Sequence, residues 1–297
     1  MDRNSLLPFA ATLAAIALLS LMDALMKGAA LAVGAFSALL LRSWLNLSVV
    51  GPVWLLKRTG PTSPVARRVH VRRGIVISFM GLTFFWGLAR LPLAEGLALS
   101  FIAPLLALYL AAILLGERIR RRAVAAALLG LAGVFLIAFT RMYAQETESA
   151  GHPEAAWGIA SIVVSSALYA WNLVLQRQQA QLARPLEVAT WQNFMVGCVL
   201  LLGAAWLLEW PAGAAWVFIV CSGVLSLAGA MLMAWAYARS EAQVLVPLEY
   251  TGFAWAALFG WLFFAETVRT EVLAGAALIV LGCWLAAPRK SPEQVVI

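Results

Sequence analysis

The chain has 297 residues, 63% of them hydrophobic and only 12% charged, and it carries a net charge of +7. Because a soluble domain has about 25% charged residues, this composition excludes an ordinary soluble protein and predicts an all-α integral membrane protein. The basic residues lie between apolar runs, which is typical of membrane topology rather than of nucleic-acid binding. We therefore expect a lipid bilayer as the surroundings and no nucleic-acid partner.

Ten apolar runs follow one another along the chain, and each approaches or exceeds the roughly 20 residues that a helix needs to cross a bilayer. The first, at 6–26, is too long for a signal peptide and is predicted to be a spanning helix. A polar, acidic segment at 141–155 is the one linker-like stretch, and we place it in the periplasm. The halves 1–140 and 156–297 then contain the runs 6–26, 33–56, 74–89, 94–115 and 123–140, and 157–176, 185–208, 213–236, 243–265 and 270–287.

The distribution of basic residues predicts the orientation of the helices. If the N-terminus lies in the cytosol, most of the 21 Lys and Arg residues fall in cytosolic segments, as the positive-inside rule requires. Lys27, Arg90, Arg141 and Arg269 are the exceptions that fall outside. We therefore expect a multi-pass membrane protein with both termini in the cytosol.

The second half repeats the first at a constant offset of 149 residues. Trp86 corresponds to Trp235, Arg90 to Arg239, and Glu117 to Glu266. Five spans in each half is an odd number, so the second copy enters the membrane from the opposite face. The sequence thus predicts ten transmembrane helices as two inverted five-helix repeats, an arrangement common in transporters.

Two stretches carry a resemblance to a known family. The first combines ARLPLAEG, Pro104 and LGE, then basic residues and GLAGVFLIA, and the second combines VPLEYTGFAWAALFGWLFFAE with GAALIVLGCWL. Together they resemble the EamA family of the drug/metabolite transporter superfamily. The resemblance implies a central cavity and export of amino acids or other small metabolites in a bacterial inner (cytoplasmic) membrane. The many Trp residues make the chain similar to the YddG-type aromatic amino-acid exporters of that superfamily.

Polar and aromatic side chains in the apolar runs are the candidate cavity residues, because a charge at mid-bilayer costs about 2.5–3.5 kcal/mol on insertion scales. Glu249 is interpreted either as a proton-sensitive or amine-binding carboxylate or as a partner of Arg239. Aromatic walls suit an apolar side chain, and a few polar groups suit the head of an amino acid. The candidate substrate-binding residues are Phe79, Trp86, Ser100, Tyr169, Trp171, Asn172, Trp235, Glu249 and Tyr250.

Other polar residues are expected to have structural roles, and for one pair two interpretations remain. Asp23 and Lys27, one turn apart, either pair with each other or line an outer mouth that contacts substrate. Glu117 and Glu266 are interpreted as charge anchors at helix ends. The two histidines, His70 and His152, are expected in solvated loops.

The sequence offers no nucleophile with a base, no phosphate loop and no metal-like spacing, so we expect no enzyme activity, no cofactor and no metal. We expect an exporter that works by alternating access, with hinges at Pro104 and Pro247, where a missing helix hydrogen bond loosens the backbone. The alternatives are an exporter of cationic drugs or quaternary ammonium compounds and a passive channel. A monomer or weak dimer that binds a small-molecule substrate is expected.

Overall fold

The computed structural model describes residues 3–58, 60–103, 153–239 and 248–286, together with 106, 110, 125, 128–137, 139 and 245. Every regular element in these ranges is a helix, as the composition predicts. The helices are α1 (Arg3–Lys57), α2 (Pro64–Leu88), α3 (Leu93–Ser100), α4 (Leu128–Ile137), α5 (Pro153–Ala180), α6 (Pro185–Leu201), α7 (Ala204–Leu207), α8 (Ala214–Tyr237), α9 (Gly252–Phe264) and α10 (Thr270–Ala286). The predicted linker at 141–155 and the proposed hinges Pro104 and Pro247 lie outside the described residues, except that the last three linker positions begin α5.

Four described helices are long and apolar enough to cross a membrane by length and composition. They are Leu7–Lys57, Pro64–Leu88, Glu154–Gln176 and Ala214–Tyr237. The first has 51 residues, which at 1.5 Å per residue is about 75 Å, more than twice the apolar core of a bilayer. One straight span cannot accommodate this length.

Helix α1 turns back on itself at Val33 and Gly34, whose backbone angles are not helical. The Nη1 atom of Arg42 lies 3.1 Å from the sulfur of Met22, although residues 20 apart in a straight helix would be separated by about 30 Å. The stretches 3–32 and 35–57 are therefore two antiparallel arms. They correspond to the first two predicted spans, and a tight turn replaces the expected loop around Lys27.

Gly34 has φ 74° and ψ 151°, a region of backbone space that is essentially restricted to glycine. A Cβ atom at this position would meet nothing within 4 Å, so the requirement for glycine comes from the backbone alone. We expect Gly34→Ala to destabilise the protein by about 1–3 kcal/mol. Thermal unfolding in detergent measures this effect, with Gly60→Ala as the control, because a Cβ there also meets nothing and no positive φ is involved. Equal stability of Gly34→Ala and the unmodified protein would contradict the turn.

Helix α2 begins ten residues earlier than the third apolar run. Ser63 caps it by accepting a hydrogen bond from the Ala66 amide at 3.1 Å, and Pro64 occupies the first turn, where a missing N–H costs nothing. The basic stretch around His70 is consequently helical. The expectation that His70 lies in a solvated loop is wrong, because only 1% of its surface is exposed.

The helices run alternately in opposite directions and so define two ends of the molecule. The Lys27 end contains Val33–Gly34 and the segments 89–92 and 265–269. Lys27 and Glu266 join the last two segments through an ion pair and hydrogen bonds. The His70 end contains the segments 60–63 and 181–184, and Trp191 on α6 reaches Thr62 there with its indole N–H at 3.1 Å. Along α2 the 18 residues from His70 to Leu88 span about 27 Å, so the two ends are a bilayer core apart.

Glycines allow close packing between some of these helices. A Cβ on Gly87 of α2 would lie 2.8 Å from the Gly158 carbonyl oxygen of α5. A Cβ on Gly275 of α10 would lie 2.9 Å from the Gly133 carbonyl oxygen of α4. Close backbone contact through small residues is the usual way in which membrane helices associate, and the first pair places α5 directly against α2.

Candidate functional site

The main polar cluster lies between α2 and α5, near the His70 end. Arg73 on α2 donates from Nε to Oδ1 of Asn172 at 2.9 Å and from Nη1 to Oε1 of Gln179 at 2.5 Å. All three side chains are buried. Asn172 and Gln179 are seven residues apart, so they share one face of α5. The predicted cavity residue Asn172 thus contacts a buried cation from another helix.

The cluster continues to α6 through His70. The Nε2 atom of Gln179 lies 2.5 Å from Nδ1 of His70, and Nε2 of His70 lies 3.4 Å from a carboxylate oxygen of Glu187. The imidazole ring stacks on Trp191, with ring centroids 5.3 Å apart and an angle of 2° between the planes. Side chains of three helices therefore meet in one polar cluster. Hydrogen bonds join α2 to α5, and the His70–Glu187 contact and the ring stacking join α2 to α6.

Arg73 lacks a carboxylate partner in the part of the chain that the structure describes. Its two hydrogen-bonded partners, Asn172 and Gln179, are neutral amides, and the described ion pairs involve other residues. Since burying a charge is expensive unless it is paired, a buried arginine held by amides has the electrostatic character of an anion-binding site. A charged residue within a membrane span is a functional candidate for the same reason.

A second charged group lies within electrostatic range of this cluster. Tyr169, three residues before Asn172 on α5, interacts electrostatically with both Arg73 and Glu249. Glu249 accepts a hydrogen bond of 2.5 Å from the Tyr237 hydroxyl at the end of α8. Glu249 has helical backbone geometry and lies three residues before the start of α9 at Gly252. Tyr169 is therefore within electrostatic range of both the cation and the carboxylate.

The structure brings some of the predicted cavity residues together and separates others. Asn172 belongs to the assembly around Arg73, Tyr169 is within electrostatic range of Arg73, and Glu249 is within electrostatic range of Tyr169. Ser100 donates to the Leu97 carbonyl at 2.7 Å and sits beside Phe101, which packs edge-on against Tyr250 at 5.4 Å. The remaining aromatic candidates, Phe79, Trp86, Trp171 and Trp235, take no part in either group.

These four aromatic residues have two kinds of setting. Phe79 is 52% exposed and Trp171 49% exposed, so both side chains lie on accessible surfaces of their helices. Trp86 lies at the Lys27 end and Trp235 at the His70 end. Each stacks under an arginine four residues later, with centroid distances of 3.5 Å to Arg90 and 4.3 Å to Arg239. The two arginines also donate to the carbonyl of their tryptophan, so equivalent positions of the two repeats form the same local contact.

A second polar cluster closes the Lys27 end. Lys27 forms a buried ion pair with Glu266, donates to the Leu91 carbonyl at 2.5 Å, and lies 4.9 Å from the centre of the Phe264 ring. The other carboxylate oxygen of Glu266 accepts a hydrogen bond of 2.7 Å from the Leu93 amide. Lys27 therefore pairs with Glu266 and not with Asp23, which was one of the two interpretations of the sequence. Asp23 interacts electrostatically with Arg42.

Backbone geometry and packing position the Glu266 carboxylate. Ala265 adopts a left-handed conformation with φ 53° and ends α9, so the next residue turns back toward the helix. A Cβ on Gly260 would lie 2.7 Å from Oε2 of Glu266, and glycine at this position leaves room for the carboxylate. The cavity beside it, lined by Pro92, Glu95 and Gly260, has a volume of about 10 Å³. That is room for one water molecule, so this part of the Lys27 end is tightly packed.

Sequence reasoning missed His70, Arg73, Gln179 and Glu187. The signal that indicates Gln179 is the polar stripe on α5, which continues from Ser165, Tyr169, Asn172 and Gln176 by another three residues. Arg73 and His70 precede the apolar run that starts at 74, so hydropathy alone does not place them in a helix. Within the described ranges, no group of three His, Cys, Asp or Glu residues could hold a metal ion.

Comparison with known proteins identifies the family. The model of the EamA-like transporter family matches residues 7–139 and 156–287. The chain is 26% identical over 271 residues to the pseudopaline exporter CntI of Pseudomonas aeruginosa (strain UCBPP-PA14), covering 89% of this chain and 90% of that protein. It is 25% identical over 215 residues to a riboflavin transporter of Rhizobium johnstonii, covering 71% and 67%.

Two further similarities agree with these matches. An uncharacterized transporter of Helicobacter pylori (strain J99) is 28% identical over 221 residues, covering 73% of this chain and 72% of that protein. One solved crystal structure, described only as that of a protein, aligns with a TM-score of 0.60 and 24% identity over 94% of this chain and 96% of that chain, which concerns the fold alone. The family match covers nearly the whole sequence, and the chain therefore belongs to the EamA-like transporter family of membrane proteins.

Proposed function

We propose that the protein exports amino acids, or similar zwitterionic metabolites with an aromatic or apolar side chain, from the cytosol across a bacterial inner membrane. The observation that carries this proposal is Arg73, a buried guanidinium whose described hydrogen-bond partners are neutral. Its planar fork of donors suits a carboxylate. A substrate carboxylate would supply the negative charge that the surrounding amides lack.

Glu249 supports recognition of the substrate's ammonium group. It is a carboxylate near the same assembly, its described hydrogen-bond donor is a neutral hydroxyl, and Tyr169 lies within electrostatic range of both Glu249 and Arg73. A zwitterion has both charges that this pair complements. The aromatic preference, and with it the similarity to YddG-type exporters, rests on Tyr169 and Tyr237 in the surroundings.

The architecture that we propose is ten transmembrane helices in two inverted halves, 1–140 and 156–297. The two separate family matches, 7–139 and 156–287, have nearly these bounds. The repeated Trp–Arg contact supports the same reading, because Trp86 lies at the Lys27 end and its equivalent Trp235 at the opposite end. Inversion of the second half moves an equivalent position to the other face of the membrane.

Transport would proceed by alternating access. The basic residues at 57–73 and at 184 favour a cytosolic location for the His70 end and for both termini. The Lys27 end would then face outward, and its buried ion pair would close the outer side until the substrate is released. Pro104 and Pro247 remain proposed hinges. The relatives named as a pseudopaline exporter and a riboflavin transporter support transport of a small metabolite.

Counterflow into proteoliposomes tests the substrate class. We expect phenylalanine and tyrosine to accelerate exchange, and we expect phenethylamine and phenylpropionate, which each lack one charge of the zwitterion, to do so at least 10-fold less. A hydrogen bond to a charged group contributes about 1.5–3 kcal/mol, or about 10- to 150-fold. In Glu249→Gln the preference of the transporter for phenylalanine over phenylpropionate should disappear, because the ammonium loses its carboxylate.

The same assay separates the alternatives. A quaternary ammonium compound that exchanges faster than any amino acid would replace the proposal by a cation exporter. Flux without acceleration by substrate on the opposite side would indicate a passive channel. Arg67→Gln serves as the matched control, since this exposed arginine lies outside the assembly, and its counterflow should equal that of the unmodified protein.

A further inference from the structure

A basic groove lies at the His70 end, outside the assembly around Arg73. It is bounded by the end of α1, the segment 60–61 and the segment 181–187, and it has a volume of about 590 Å³. Its charged lining residues are Lys57, Arg58, Arg184 and Glu187. A volume of this size is typical of a small-ligand site.

The positive charges of the groove are not neutralised within the described chain. Lys57, Arg58 and Arg184 belong to none of the described ion pairs, and Arg58 lies over the Trp54 ring at 5.4 Å. The carboxylate of Glu187 lies 3.4 Å from His70. Three cations therefore face one carboxylate that already has a partner, so the groove is complementary to an anion.

The position of the groove selects the kind of anion. Lys57 and Arg58 follow directly on the apolar arm 35–57, which places them where a spanning helix leaves the bilayer. Beside them Leu55 is 54% and Leu56 86% exposed, so an apolar surface adjoins the basic groove. A free phosphate would contact only the charges, whereas a phospholipid would contact both surfaces.

We infer that this groove binds the phosphate headgroup of an anionic phospholipid from the inner leaflet. The headgroup lies among Lys57, Arg58 and Arg184, Trp54 stands at the interface, and the acyl chains lie along Leu55 and Leu56. Basic pockets between membrane helices on the cytoplasmic side bind such headgroups in other proteins. Glu187 connects the groove through His70 and Gln179 to Arg73, so a bound lipid would hold α6 in register with the transport assembly.

Native mass spectrometry of the detergent-solubilised protein tests the inference. We expect dioleoylphosphatidylglycerol to bind at least 10-fold more tightly than dioleoylphosphatidylcholine. Each basic residue near an anionic lipid contributes about fivefold in affinity, so Lys57→Gln/Arg58→Gln/Arg184→Gln should weaken phosphatidylglycerol binding about 100-fold. The single variant Arg184→Gln should weaken it about fivefold, which keeps the test available if the triple variant does not fold.

The matched control is Arg67→Gln/Arg68→Gln/Arg72→Gln, which removes the same charge from exposed positions of α2 outside the groove. It should bind phosphatidylglycerol as the unmodified protein does. Equal loss in both triple variants would show general surface attraction and overturn the inference. Displacement of the lipid by millimolar inorganic phosphate would assign the groove to free anions and overturn it as well. The readout is lipid binding, so it does not depend on which substrate the protein exports.

Discussion

Replacement of Arg73 by glutamine is expected to reduce amino-acid counterflow at least 100-fold while leaving the protein folded. The substrate carboxylate would lose its only described cationic partner in the assembly, and removing one member of a buried charge pair costs about 3–5 kcal/mol. Glutamine retains a donor for Asn172 or Gln179, so the helix contact between α2 and α5 persists. Without substrate, Arg73 is a buried charge whose described partners are neutral amides. Removing a buried charge of this kind relieves its cost of burial, so the melting temperature of Arg73→Gln should be unchanged or higher.

Two further variants separate a binding role of Arg73 from a structural one. Arg73→Lys keeps the charge but cannot hold two amides and a carboxylate with one planar fork, so we expect a raised KM and residual maximal exchange. Arg72→Gln, at the neighbouring exposed position, should exchange normally. Normal counterflow by well-inserted Arg73→Gln would contradict the assignment of this residue to the substrate carboxylate.

The sequence predicts the helical elements well because hydrophobic length is a local property. Runs of apolar residues give the helices directly, and the constant 149-residue offset gives equivalent pairs such as Trp86–Arg90 and Trp235–Arg239, which form the same contact. The start of α2 is wrong for a physical reason. Hydropathy treats Arg73 and His70 as solvent-facing and so starts the span at residue 74. The actual start of the helix, ten residues earlier, is indicated by the capping residue Ser63 and by Pro64 in the first turn.

The partners of the polar residues could not be predicted from the sequence. Lys27 has a carboxylate one turn away at Asp23, and local spacing favours that pair. In the structure Lys27 pairs with Glu266, which is 239 residues away, because the chain reversal at Ala265 returns the carboxylate to α1. Such a long-range pair depends on how the helices assemble, so it cannot be predicted from the spacing of residues within one helix.

Replacement of Lys27 by methionine is expected to cost about 3–5 kcal/mol of folding free energy. The Glu266 side chain is only 17% exposed, and without the lysine its described partner is the Leu93 amide. Glu266→Gln should cost less, since the amide oxygen still accepts from Leu93. The control is Arg67→Met, which removes a charge at an exposed position outside both the ion pair and the basic groove, and for which we expect a change within about 0.5 kcal/mol.

The double variant Lys27→Met/Glu266→Gln decides whether the two residues act as a pair. Removing both charges leaves no uncompensated carboxylate, so we expect the double variant to be more stable than Lys27→Met alone, with a coupling energy of about 1–3 kcal/mol in a double-mutant cycle of unfolding. If the costs of the single variants simply add, the ion pair does not hold α1 to the end of α9. In the proposed cycle this contact closes the outward side. In Lys27→Met a buried carboxylate without its lysine must still be accommodated each time the outer side closes. We therefore expect faster counterflow from the double variant than from Lys27→Met when both are compared as folded protein.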